Sequence, residues 1–262
     1  MRRKVGGVAG LLLLLAASAA FAADQPATIP VEPVKQVRKG VDAWPLIQNP
    51  RTPAEIRVNA ALTKLNQRLQ QALATCDDGA RASFKQMGED APKDQDPTEG
   101  DWRRSVQITM QGPRFLSLVA SDEVFCGGAH PDTGTMAMVF DLTTGAPVNW
   151  LAMVPKSAAA STHADTVSDG STVSGLALAG LAKINLAAAD QDCNDAFVEG
   201  QSFQLWPDAR AGTLVAQAFD LPHVVAACAA QIPLSLEQAR GLGFDESLLG
   251  AIEEAHRLGV KR

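Results

Sequence analysis

The chain has 262 residues, of which 46% are hydrophobic and 20% charged, with four cysteines, no tyrosine and a formal net charge of −6. That balance suits one packed core and excludes collagenous, disordered and multi-span membrane chains, because the single long apolar run lies at the N-terminus. An acidic chain also lacks the basic face that phosphate neutralisation requires, so no nucleic acid is expected as a partner.

Residues 1–22 read as a secretory signal. Arg2, Arg3 and Lys4 form a basic start, Val8 to Ala20 an apolar stretch, and Ala20-Phe21-Ala22 a small-residue cleavage site before Ala23. The stretch is shorter than the ~18 apolar residues that a membrane span needs, so no span is expected after cleavage. Loss of the three cations leaves 20 basic against 29 acidic residues, a charge of −9. The expected location is periplasmic or secreted. In that oxidising setting Cys76, Cys126, Cys193 and Cys228 read as disulfides, with no C-x-x-C or zinc spacing among them. Three connectivities are possible; Cys76 with Cys126 and Cys193 with Cys228 is favoured, because each pair ties segments expected to be neighbours.

Residues 23–32 read as a flexible lead-in and 33–262 as a single domain. Thr52-Pro53-Ala54-Glu55 is a capping box with proline at the first helical position. Leu62, Leu65, Leu69 and Leu73 then make one apolar stripe, which predicts an amphipathic helix from Pro53 to Thr75 with Cys76 at its end. Residues 87–101 lack periodicity and read as a loop. Val106, Ile108 and Met110 alternate with polar residues, and Phe115 to Val124 and Thr135 to Leu142 follow as further antiparallel strands. Val148 to Val154 reads as a strand or short helix, Lys156 to Ser174 as a loop or weak helix, and Leu176 to Leu186 as a buried helix. Phe203 to Trp206 and Gly212 to Phe219 form a strand pair, with Trp206 buried. Ser235 to Arg240 predicts a short helix, and Asp245 caps a last one whose inner face is Leu248, Leu249, Ile252 and Ala255, with Glu253 and Arg257 paired outside. The expected fold class is α+β: a mostly antiparallel sheet packed against an N-terminal amphipathic helix and C-terminal helices.

The most informative stretch is the strand ending in Cys126-Gly127-Gly128-Ala129-His130-Pro131, answered by one ending in Phe140-Asp141-Leu142-Thr143-Thr144-Gly145. Trp44-Pro45-Leu46-Ile47 ahead of Leu65-Asn66, and Leu221-Pro222-His223 to Cys228 ahead of Gln231-Ile232-Pro233-Leu234, occur in the same order around it. Together these resemble the extracytoplasmic domain of the RsiV family, which includes lysozyme-sensing anti-sigma factors and also precedes the catalytic region of PdaC-type peptidoglycan deacetylases. The resemblance spans roughly Pro33 to Leu242. The family's tyrosines are replaced here by Phe125-Cys126 and Pro222-His223. Neither the sigma-binding region nor the deacetylase domain has a counterpart in this sequence, so the resemblance implies the binding or sensing module alone. Its implied partner is a lysozyme-like cationic protein or peptidoglycan, and the mature charge favours the former.

Gly127 and Gly128 can take positive φ cheaply, so a turn there would present His130 and Asp132 at its tip as ligand-contacting residues. No G-x-S-x-G, H-E-x-x-H or P-loop pattern occurs, and no catalytic residue, cofactor or metal is expected. The alternative is a metal-dependent envelope hydrolase gathering His130, Asp132, His163, Asp165 and His223. His130-x-Asp132 and His163-x-Asp165 share a spacing that puts both side chains on one face of a strand. A third possibility is a structural envelope protein without a ligand.

Overall fold

A computed structural model describes residues 28–88, 100–128, 130–167, 169–188, 191–197, 200–219 and 221–260. The signal segment, the start of the lead-in and most of the 87–101 loop lie outside these. The first elements are β1 (Gln36–Arg38), β2 (Val41–Asp42) and α1 (Pro53–Met87). Next come β3 (Asp101–Gln111), β4 (Phe115–Phe125), β5 (Asp132–Asp141) and β6 (Ala146–Pro147). A short 3-10 turn at Trp150–Met153 leads to β7 (Ser161–Thr166), β8 (Thr172–Ala177) and α2 (Ala179–Ala188). The chain closes with β9 (Ser202–Asp208), β10 (Thr213–Ala218), β11 (Gln231–Leu234), α3 (Leu236–Gly241) and α4 (Glu246–Val260). The fold is α+β.

The described residues form two sheets. The first runs β1-β2-β3-β4-β5-β6 and the second β11-β10-β9-β8-β7, antiparallel throughout except where β2 meets β3 in parallel. β4 shows why the first sheet is a middle layer. Phe115 to Ala120 are all buried, because Leu116, Leu118 and Ala120 meet α1 while Phe115 and Val119 meet the second sheet and the C-terminal helices. On α1, Val58, Leu62, Leu65, Leu69 and Leu73 form the buried stripe, each leucine worth about 1.5–3 kcal/mol. α4 buries Leu248, Leu249 and Ile252 likewise, and Asp245 Oδ1 accepts the Ser247 N–H at 2.8 Å as its cap.

Several expectations need correcting. α1 continues to Met87, so Cys76 is a buried residue within the helix and not its end. Residues 156–174 contain the β7–β8 hairpin, whose exposed Ser and Thr side chains give a polar strand without an apolar alternation to mark it. Leu176 belongs to β8, and the helix after it starts at Ala179. Of the two forms open to Val148 to Val154 the short helix holds, as a 3-10 turn at Trp150–Met153, while Arg257 pairs at 4.0 Å with Glu254, one residue nearer than the expected Glu253.

Two asparagines seat the N-terminal segment on α1. Asn66 Oδ1 accepts the Trp44 N–H at 2.8 Å and its Nδ2 donates to the Trp44 carbonyl at 3.0 Å; Asn59 does the same with Ile47 at 2.8 and 2.9 Å. They stand two helical turns apart, so both amides point along one line. Residues 29–32 then lie along 46–48, held by Glu32 N–H to Leu46 and Gln48 N–H to Pro30. Asn66→Ala is expected to lower unfolding free energy in urea by about 2–3 kcal/mol, since two half-buried backbone groups lose their partners.

After β5, Asp141 closes the turn. Burial opposes its charge, but hydrogen bonds from the Thr143 hydroxyl and N–H and from Arg114 outweigh it and hold the carboxyl below the usual range. A depressed carboxyl contributes stability that is present above its unfolded pKa and lost as pH falls through the folded value. Asp141→Asn should therefore lower the melting temperature at neutral pH and flatten its decline below about pH 4.

Candidate functional site

β4 ends at Phe125 and β5 begins at Asp132, so residues 126–131 make the connection. Cys126 is bonded to Cys76 of α1 (S–S 2.02 Å), which lays this loop on the helix. Gly127 has φ +81°, and a Cβ there would stand 2.6 Å from the Ser83 side chain, so both conformation and contact require glycine. Gly128 also has positive φ, +147°, in open space. The loop thus delivers His130 and Asp132, both exposed, at the start of β5. Asp132 Oδ1 accepts the Thr133 N–H at 2.9 Å.

These two residues form one wall of a cleft of about 820 Å³. The facing wall is Asp165, Thr166 and Val167 of the β7–β8 hairpin, the floor is Gln204, Gln217 and Phe219, and Ala226 and Ala229 close one end. Asp165 Oδ1 accepts the Thr166 N–H at 2.7 Å, the same local bond that Asp132 makes. The structure therefore brings His130, Asp132 and Asp165 to one space. His163 does not line it; its ring lies 6.1 Å from Phe219, tilted by 48°. His223 begins the 3-10 turn His223–Cys228, and its side chain and Ala129 lie outside the described residues. Among the described residues no three His, Cys, Asp or Glu side chains are placed to hold a metal ion.

Gln204 and Gln217 are floor residues that the sequence reading passed over. Gln204 Oε1 accepts the Ala137 N–H at 2.9 Å and its Nε2 donates to the Thr135 carbonyl at 2.8 Å, so a side chain of β9 occupies the backbone edge of β5. Gln217 Nε2 donates to the Ala229 carbonyl at 2.8 Å. Each is a glutamine inside an apolar strand, which is the sequence signal for a buried amide with a fixed partner.

The hairpin wall is positioned from its far end. Asp169 in the β7–β8 turn reaches the first sheet, where its Oδ2 lies 2.9 Å from Arg104 Nη1. Arg104 Nε is 3.5 Å from Asp122 Oδ1, which also accepts the Trp102 Nε1–H at 2.9 Å. The guanidinium carbon sits 5.1 Å from the centre of the Trp44 ring. Arg104, Asp122 and Asp169 are all buried. Burial pushes the Asp122 carboxyl up, Arg104 and the Trp102 hydrogen bond pull it back, and Asp169 adds repulsion; the net direction is upward. Arg104 is in phase with buried Trp102 and Val106 on β3, so the alternation alone marked it as an inward charge.

The second disulfide joins Cys193 to Cys228, S–S 2.04 Å, and no cysteine is free. No described helix is long and apolar enough to cross a membrane.

No family model and no curated protein matches the chain. Among solved structures, a crystal structure of a DUF3298 family protein from Pseudomonas aeruginosa PAO1, a domain of unknown function, is similar at 15% identity and a TM-score of 0.44. The match covers 81% of this chain and 93% of that one.

Removing the Asp169 carboxylate leaves Arg104 buried beside Asp122 alone. Asp169→Ala is expected to cost about 3–5 kcal/mol in chemical denaturation, and the double variant Arg104→Met with Asp169→Leu should recover part of that loss.

Proposed function

We propose that the chain is an exported, non-catalytic binding or sensing module of the cell envelope that takes a lysozyme-like cationic protein at the cleft between His130, Asp132 and Asp165. The observation that carries this reading is the chemistry of the lining: two carboxylates and the amides of Gln204 and Gln217, with no Lys or Arg among the residues that form it. Such a surface attracts cations from solution and offers acceptors to whichever ammonium or guanidinium enters. The −9 charge of the chain after residue 22 extends the same field over the whole molecule. Export is supported by the pattern of residues 1–22, together with two disulfides and no free thiol. The resemblance of the Cys126 to His130 stretch to the RsiV family supports lysozyme as the partner type, and the Gly-Gly turn is where that resemblance meets the cleft.

Calorimetric titration with a lysozyme should give one-to-one binding that weakens by about tenfold or more between low and moderate salt, as exposed charge pairs become screened. Asp132→Asn with Asp165→Asn should weaken it further while leaving the melting temperature within a few degrees. Absence of salt-sensitive binding to lysozyme, or equal binding by the double variant, removes this reading; binding of soluble peptidoglycan fragments alone assigns the cleft to glycan.

A further inference from the structure

Among the described residues the second sheet ends on one side at β7, whose Asp165 and Thr166 line the cleft. β7 is its outer strand among the described residues, paired with β8 on its inner side, with all six residues exposed. Its ladder to β8 runs from Ser161↔Ala177 to Thr166↔Thr172 without a register shift, so no bulge bends the edge away. It contains neither lysine nor proline. The other strand edges are blunted in ways that exposed sheet edges require. β11 is four residues long and carries Pro233; β6 is two residues with Pro147; β1 is three. β5, the strand across the cleft, has its Thr135 carbonyl and Ala137 N–H occupied by Gln204. One side of the cleft is thus capped by a built-in amide, and the other carries Asp165 and Thr166 at the end of a six-residue strand.

We infer that β7 is a strand-addition site: an extended segment of a cationic protein pairs with its outer edge and places one Arg or Lys side chain into the cleft beside Asp165. This deepens the proposed function and rests on it. Backbone pairing supplies the affinity of such docking, and pockets for individual side chains supply its selectivity. The pocket is at hand. Asp165 on β7 and Asp132 on β5 line it from two sides, and Gln217 Oε1 on its floor is a buried acceptor with no hydrogen-bond partner among the described residues. A guanidinium, with its five donors, matches that set of oxygens, and the Phe219 ring adds an apolar face for the side chain's stem. Charge selects the occupant: no Lys or Arg occurs from Ser161 to Ala177, and the net charge of the chain opposes pairing with a second copy.

The probe is a short capped peptide of alternating threonine and valine with one central arginine, titrated against the full chain and followed by hydrogen exchange. The expected result is binding with slowed exchange at β7 amides. Affinity should fall about tenfold for Asp165→Asn and about tenfold or more for the same peptide N-methylated on alternate residues, which removes its backbone donors. Equal binding of the methylated peptide, protection confined to other strands, or a concentration-dependent dimer protected at β7 overturns the inference. Lysozyme binding that leaves β7 exchange unchanged overturns it while the cleft reading stands; failure of both lysozyme and peptide removes both.

Discussion

Arg104 must have two carboxylates within reach, and they come from different layers of the protein. Asp122 belongs to the neighbouring strand β4, whereas Asp169 arrives from the turn of the β7–β8 hairpin in the second sheet. Removing each ion from water costs several kcal/mol, so the cluster tolerates only the arrangement in which attraction and hydrogen bonding recover that cost. The hairpin needs such a constraint. β8 pairs with β9 at only Leu176↔Phe203 and Ala177↔Ser202, so beyond those two positions no ladder fixes where β7 lies. Gly175 lets the hairpin rest on Phe219, where a Cβ would come within 2.6 Å of the ring. Asp169 then fixes the far end.

The same constraint runs back toward the N-terminus. Arg104 lies against the face of Trp44, and Trp44 is held at its own backbone by Asn66 of α1. α1 in turn carries Cys76, bonded to Cys126 at the base of the opposite cleft wall. Asp132 and Asp165 therefore stand on two walls that are both referred to one helix, the first through a covalent bond and the second through Asn66, Trp44, Arg104 and Asp169. A gap held from both sides keeps its two carboxylates apart, the kind of preorganisation that would limit the cost of ordering if a partner docks there.

Elements with strong local chemistry were legible in the sequence. The capping box at Thr52 and the leucine stripe gave the start and inner face of α1, alternation gave β3 and a continuous apolar run gave β4, because each signal reflects burial on one face or on both. What escaped was set at long range. β7 and β8 are rich in Ser, Thr and Ala, and their strand form comes from pairing with each other and from Asp169, not from an apolar face. The two His-x-Asp stretches were visible, but only tertiary packing shows that Asp132 and Asp165 meet across a cleft while His163 turns toward Phe219. Gln204 looked like a polar interruption of an apolar strand until its two backbone partners on β5 were in view.

The two disulfides tie both ends of the cleft to the rest of the chain. Cys76–Cys126 closes a separation of 50 residues and anchors the loop that carries His130; Cys193–Cys228 closes 35 and anchors the turn whose Ala226 lines the other end of the same space. In the chain-entropy account each restricts the unfolded chain by about 4 kcal/mol, a model-dependent figure. The segments joined by Cys193–Cys228 are 3-10 turns without a strand or helix of their own, whereas the 126–131 loop is also held by the β4–β5 ladder, which runs to Val124↔Asp132. A reducing compartment would thus act first on the end of the cleft where Ala226 lies, and only afterwards on the sandwich of α1 and the sheets, whose cores are built from buried apolar side chains. Both bonds border the acidic cleft, so an oxidising environment, the one the proposed reading requires, is also the one in which that cleft keeps its shape.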